Sequence, residues 1–213
     1  MLIGIKKKFI FVANSKTAST AIEFALAPYA EINHTGTPQR KHISWINVLE
    51  EYKSIFQQPG CSPQEFFKFG VIREPVEWVM SWYNYRLGNQ DVEHPLRSDM
   101  TFEEFWSGAD WVKNITQMEH FLDSSGSCAF DLLIPHEAIA GVFPKVLRIL
   151  RLSDFSPPQK NVSRKTIRRT DISESLEIEI NEHYEKDCEA YSKWRHEGAA
   201  TADSFLTKIE NSY

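Results

Sequence analysis

Apolar residues fall along this chain in two kinds of run: short continuous blocks, and longer stretches at helical spacing. The two kinds alternate. Phe9 to Ala13 is the first block, five apolar residues preceded by lysines and followed by polar ones. A run of that length, rich in strand formers, predicts a strand buried on both faces. From Ser19 the spacing changes: Ile22, Ala25 and Leu26 share one helical face, and Pro28 closes the segment. The polar stretch 31–42 (EINHTGTPQRKH) reads as a loop. After Ser44, the residues Trp45, Val48, Leu49, Tyr52, Ile55 and Phe56 recur with a helical period and predict an amphipathic helix.

The alternation continues. The block 67–72 (FKFGVI) predicts a second buried strand, Arg73 and Glu74 turn the chain, and Pro75 suits a first helical position. Val76, Val79, Met80, Tyr83 and Leu87 mark the inner face of the helix that follows, and 88–100 reads as an exposed loop. Thr101 and Glu104 have the spacing of a capping box, and Trp111 to Leu122 predicts a further helix. The block 130–135 (FDLLIP) is a third buried strand, with a helix over Val142 to Leu150 behind it. A loop spans 153–166, and 173–195 predicts one long polar helix with Leu176, Ile180, Tyr184 and Tyr191 inward. With no repeat, low-complexity tract or linker, the expectation is one α/β domain over residues 1–213: a central parallel sheet flanked by helices.

Composition narrows the function classes. The chain has 213 residues, of which 42% are hydrophobic and 25% charged, enough apolar surface for a core without staples. A net charge of −5 argues against nucleic-acid binding through bulk charge and leaves room only for a local basic pocket. Cys61, Cys128 and Cys188 are odd in number and widely spaced, so neither a disulfide framework nor a metal-ligand pattern can be built from them. The apolar stretch behind the first lysines is too short for a signal peptide, and no run reaches transmembrane length. The expectation is a soluble, cytoplasmic protein without stable membrane insertion. Oligomeric state is not readable from the chain.

Candidate chemistry gathers where predicted strands end, since ligands in open α/β sheets bind beyond the carboxyl ends of the strands. After the first strand, the loop Asn14 to Thr20 carries Ser15, Lys16, Thr17, Ser19 and Thr20 into a helix start. Two readings are open: hydroxyls that merely cap the helix, or an anion site in which free N–H groups and Lys16 meet a phosphate or sulfate. It is not a Walker A loop, because Ile10 and Ser15 occupy the two glycine places of that motif. After the second strand, Arg73 lies eight residues before Ser81, which a helix places roughly 9 Å above Pro75. Either Arg73 and Ser81 close on one phosphate, or Arg73 pairs with Glu74 or Glu77 and Ser81 faces solvent.

The two elements together resemble the sulfotransferase family, especially the Golgi-type carbohydrate sulfotransferases and their bacterial relatives. The likeness runs through Ser15-Lys16-Thr17-Ala18-Ser19-Thr20, through Arg73-x-Pro75 with Ser81, and more weakly through KHISWINVLEEY, ITQMEHFL, FDLLIPHEAI, KNVSRKT and HYEKDCEAY, in family order. The resemblance implies a P-loop-like fold that binds PAPS (3′-phosphoadenosine 5′-phosphosulfate) and releases PAP. In that scheme Lys16, Thr17, Ala18, Ser19 and Thr20 grip the 5′-phosphosulfate, while Arg73 and Ser81 grip the 3′-phosphate. It also suggests that Ser163 and Arg164, in a loop with Lys160 and Lys165, lie over the nucleotide. The implied activity moves a sulfuryl group to a hydroxyl of a carbohydrate or small-molecule acceptor. Ala18 stands where the family has Gly, and Ser15 where it has Pro, so the backbone of the loop is less free at Ala18 if that position needs a positive φ.

Sulfuryl transfer needs a stabilised leaving oxygen and a base for the acceptor hydroxyl. Lys16 suits the first role. His42, in a stretch resembling one in the bacterial enzymes, is the candidate base, with Glu23 in reserve; alternatively His42 only caps the next helix. His120, His136, His183 and His196 read as surface or structural residues, and the reaction needs no metal. Two rivals remain: a P-loop nucleotide kinase using ATP and Mg²⁺, and a non-catalytic nucleotide-binding protein of the same fold.

Overall fold

The computed structural model describes residues 1–34, 36–92, 95–152 and 167–211. Its sheet has five strands: β1 (Leu2–Gly4), β2 (Phe9–Val12), β3 (Ile32–Asn33), β4 (Phe67–Ile72) and β5 (Leu132–Pro135). They lie side by side in the order β3-β1-β2-β4-β5. The three apolar blocks form the parallel part, with β2 beside β4 and β4 beside β5. Phe11 pairs with Phe69, and Phe69 with Leu132, so one apolar row crosses all three strands. Because these strands are parallel, their carboxyl ends share one edge of the sheet.

The other edge differs from the expected parallel sheet. β1 pairs antiparallel with β2 and with β3, adding a hairpin arm. Three apolar residues ahead of a lysine cluster are enough, because Leu2 and Ile3 are fully buried there.

Ten α-helices surround the sheet among the described residues: α1 (Ser19–Leu26), α2 (Pro38–Lys41), α3 (Trp45–Glu51), α4 (Lys53–Phe56), α5 (Pro75–Leu87), α6 (Phe102–Gly108), α7 (Asp110–Lys113), α8 (Ile139–Ile149), α9 (Glu174–His183) and α10 (Glu185–Glu210). The periodic run after Ser44 is broken at Tyr52 (φ −107°, ψ 21°) into α3 and α4. The capping box of α6 forms: Glu104 N donates to Thr101 Oγ1 at 3.1 Å, and Thr101 N to Glu104 Oε2 at 3.0 Å. The long polar helix is two helices, parted at Tyr184 (φ −104°, ψ 34°), and the second runs on to Glu210. The expected helix over 111–122 shrinks to α7 and a 3₁₀ turn at Met118–His120. Asp187 is the reason: its carboxylate accepts the N–H groups of Gln117 (2.8 Å) and Met118 (3.0 Å), which an α-helix would have used internally.

Two apolar clusters result. One joins the sheet to α1, α3, α8 and α10; the other joins α5, α6, α7 and α9. The loop 153–166, with the candidate residues Ser163 and Arg164 and their neighbours Lys160 and Lys165, lies outside the described residues. Among the described residues no helix is long and apolar enough to cross a membrane.

Candidate functional site

The shared carboxyl edge of β2, β4 and β5 carries the residues singled out above. After β2 the chain makes a tight turn, closed by Thr17 Oγ1 donating to Asn14 O at 2.9 Å. Trp78 Nε1 on α5 donates to Ser15 O at 2.9 Å, and Arg73 Nη1 donates to Lys16 O at 3.2 Å. Both carbonyls therefore face α5 and the end of β4. In a trans peptide the following N–H points the opposite way, so the N–H groups of Lys16 and Thr17 turn to the other side of the loop. Lys16 and Ala18 both have φ 59°, while Thr17 does not have a positive φ. Left-handed residues beside others are also what the backbone uses where it turns successive N–H groups toward an anion.

Ala18 is the N-cap of α1, and no side chain caps that helix. The capping role that the hydroxyls could have played is not taken: Thr17 is spent inside the loop, Ser19 is buried and Thr20 is exposed. The first turn of α1 keeps its outward N–H groups and the positive end of its dipole.

Lys16 is half-buried, with Nζ 3.8 Å from the centre of the Tyr85 ring and 5.9 Å from that of Trp82. Among the described residues it has no carboxylate partner. Burial, then the charges of Arg73 and Arg86, bring its pKa down from 10.5 to about 8. Arg86 itself lies between Trp82 and Trp111, 5.5 Å and 4.5 Å from their ring centres. Three cations thus converge near the loop.

Arg73, one residue beyond β4, is held at its backbone by Gln117. Gln117 Oε1 accepts Arg73 N at 2.8 Å, and Gln117 Nε2 donates to Arg73 O at 2.7 Å. Its guanidinium donates to Lys16 O and pairs with Glu77 at 3.2 Å, so one of the two carboxylate pairings open to it is made. Glu74 instead caps α5, accepting Glu77 N at 2.8 Å, and pairs with Arg169 at 2.8 Å. Burial lowers the pKa of Arg73, with Glu77 opposing. Ser81 is half-buried on α5. It lies four residues after Glu77 and three after Trp78, which puts it on the helix face that meets the loop. No hydrogen bond joins it to Arg73 among the described residues.

His42 ends α2 and lies against the start of the loop, its Nδ1 2.7 Å from Ala13 O. A carbonyl only accepts, so Nδ1 carries the proton and Nε2 keeps its lone pair. Burial lowers the pKa of His42, with the Ala13 hydrogen bond opposing, so the ring is neutral at pH 7. Glu23 pairs with Lys41 at 2.8 Å, and Lys41 also donates to Thr20 Oγ1 at 2.9 Å. The reserve carboxylate is thus engaged beside the loop.

Four neighbours of the loop and the Arg73 turn were not offered by the sequence as site residues: Asn14, Tyr85, Gln117 and His120, the last read as surface or structural. Asn14 Nδ2 donates to Val71 O (3.4 Å) and Gln117 Oε1 (3.2 Å). The His120 ring is buried enough, and near enough to His42, that burial and then the His42 charge bring its pKa down to about 4. Its Nδ1 is buried without a hydrogen-bond partner among the described residues. A cavity of about 530 Å³ lies beside the site, between Glu74 and Pro75 of the second turn and Glu185, Cys188 and Tyr191 of α10. The chain matches no protein-family model, no curated protein and no solved structure.

Proposed function

We propose that this chain has a P-loop-like sulfotransferase fold and is a cytoplasmic sulfotransferase, moving a sulfuryl group from PAPS to a hydroxyl of a carbohydrate or small-molecule acceptor. One observation carries the reading. The uncapped, curled loop at Lys16 and the Arg73 turn meet at one edge of the sheet, joined by the 3.2 Å hydrogen bond from Arg73 Nη1 to Lys16 O. Two separate anion grips in contact suit a nucleotide with phosphates at both ends of its ribose better than a triphosphate in a single cradle.

The donor set fits such a molecule: an uncapped helix N-terminus, a lysine with no described carboxylate partner and the half-buried Arg73. When bound, PAPS supplies the sulfuryl group, whose sulfur gains a bond to the acceptor oxygen as its bond to the 5′-phosphate oxygen breaks. The N–H groups at the start of α1 and the Lys16 ammonium hold the end of the donor where negative charge grows. Arg73, with Ser81 on the same side of α5, holds the 3′-phosphate, whose charge does not change. His42 Nε2 takes the acceptor proton, its ring fixed by the Nδ1–H bond to Ala13 O.

Thermal unfolding with a panel of nucleotides tests the class. PAP without Mg²⁺ should raise the melting temperature more than adenosine 5′-phosphate or ATP does at equal concentration, because a ligand binding only the folded state stabilises it by an amount that grows with the ratio of its concentration to Kd. Greater stabilisation by ATP with Mg²⁺ would return the kinase reading. PAP binding without transfer to any acceptor hydroxyl would mark a nucleotide-binding protein that is not an enzyme.

A further inference from the structure

Gln117 belongs to neither anion grip, yet it touches both. It is fully buried. Its side-chain amide holds Arg73 through N–H and C=O at once, as a neighbouring strand would, one residue past the end of β4. The same Oε1 accepts from Asn14, the first residue of the loop that carries Lys16. One amide therefore ties together two turns separated by 57 residues of chain between Lys16 and Arg73.

Gln117 is itself pinned from two directions. Its own N–H and that of Met118 go to the Asp187 carboxylate in the first turn of α10. Four residues on, the Phe121 ring packs against the sheet at Gly70, where an added Cβ would come within 2.3 Å of it. The segment cannot slide along β4 without losing one of these contacts. A residue needed only to fill space would not require a two-point hydrogen bond to one turn and a third hydrogen bond to the other.

We infer that Gln117 is a positioning residue that fixes the separation of the two grips, so that the chain selects a nucleoside 3′,5′-bisphosphate over nucleotides with a single phosphate. This rests on the nucleotide reading above. The physical reason is that of any two-point ligand. Once one phosphate is held, the second meets its grip at an effective concentration set by the spacing and stiffness of the pair. A relaxed spacing leaves each grip able to bind alone and removes the gain from binding both.

The test is calorimetric titration of PAP, adenosine 5′-phosphate and adenosine 3′-phosphate into the wild-type chain and into Arg73→Ala, Gln117→Met and Asn14→Ala. Thermal unfolding of each protein accompanies it. Wild type should bind PAP more tightly than either monophosphate, and Arg73→Ala should erase the preference over adenosine 5′-phosphate. Gln117→Met should weaken PAP by about tenfold or more while each monophosphate changes by less than about threefold. Asn14→Ala, which cuts the tie from the loop side and leaves the Arg73 clamp intact, should act in the same sense. It decides the matter alone if Gln117→Met does not fold. Unchanged preference in both variants overturns the inference and leaves the nucleotide reading standing. Equal weakening of all three ligands also overturns it, since that is general loss of structure. A wild type with no preference for PAP ends both.

Discussion

The turn after β2 and the turn after β4 are built alike and finished differently. Each follows a parallel strand, carries one cation and opens a helix. In the second, the helix is capped by Glu74 and begins with Pro75, the Arg73 peptide is clamped on both sides, and its guanidinium has a carboxylate at 3.2 Å. In the first, no side chain caps α1, two residues with side chains hold left-handed φ values, and Lys16 has no described carboxylate. The second turn is satisfied by the protein; the first holds donors and charge in reserve. Backbone strain and unmet polar groups persist only where the surrounding structure enforces them, and such places are where function concentrates. On the sulfotransferase reading proposed above, the contrast gives the reacting end of the ligand to Lys16 and the holding end to Arg73.

The largest effects should come from that division. Lys16→Ala and His42→Ala should each lower kcat for transfer to an acceptor hydroxyl by roughly a hundredfold or more, with much smaller changes in PAP affinity, because on the proposed reading both groups act on charge or protons that move in the transition state. Arg73→Ala should do the reverse. Losing its contact with an unchanging phosphate should cost about 2 kcal/mol, near thirtyfold, in the affinity of PAPS and PAP alike, at nearly constant kcat. If Lys16→Ala and Arg73→Ala alter kcat and affinity in the same proportions, the two turns do not divide the work.

A smaller effect should separate the cations by pH. Arg73 stays charged over any accessible range, whereas the pKa of Lys16 is depressed to about 8. PAP affinity should be flat from about pH 7 to 7.5 and fall above pH 8, approaching tenfold per unit, as the unliganded protein loses the Lys16 proton. Lys16→Arg should abolish that fall. The stability of the protein without nucleotide should move the opposite way. Between about 8 and 10.5 the unfolded chain keeps a proton that folded Lys16 has released, so this group adds stability as pH rises through that window. Calorimetry and thermal unfolding across pH 7 to 10, on wild type and Lys16→Arg, check both signs.

How much of this was legible in sequence depends on how local each signal is. β2, β4 and β5 were readable because a strand buried on both faces is dominated by apolar residues, and 67–72 matched to the residue. β1 was not, since three apolar residues before a lysine cluster carry no period. The spacing of Leu176, Ile180 and Tyr184 runs straight through the break at Tyr184, so two helices looked like one. At the site, Lys16 and Arg73 announced themselves by residue type at strand ends. Gln117 could not, because it acts on Asn14 103 residues away and on Arg73 44 residues away. The same long-range contacts, through Asp187, removed the helix expected over 111–122. One local reading did transfer: Ala18, where the sulfotransferases it resembles have Gly, stands at a position that does take a positive φ.

That residue gives the smallest prediction and the one that probes the comparison without any ligand. An L-residue in the left-handed region pays roughly 1–2 kcal/mol, against a smaller entropic cost of placing Gly there. Ala18→Gly should therefore stabilise the chain by up to about 1 kcal/mol, a rise of about 2–4 °C in Tm for a domain of this size. In the satisfied turn the matching change should go the other way. Glu74→Ala removes the cap of α5 and the partner of Arg169, and should cost about 1 kcal/mol or more. Opposite signs at the two turns are what a strained, open first turn and a saturated second one require. If Ala18→Gly destabilises as Glu74→Ala does, the first turn is an ordinary well-fitted loop, and its left-handed residues hold nothing in reserve for a ligand.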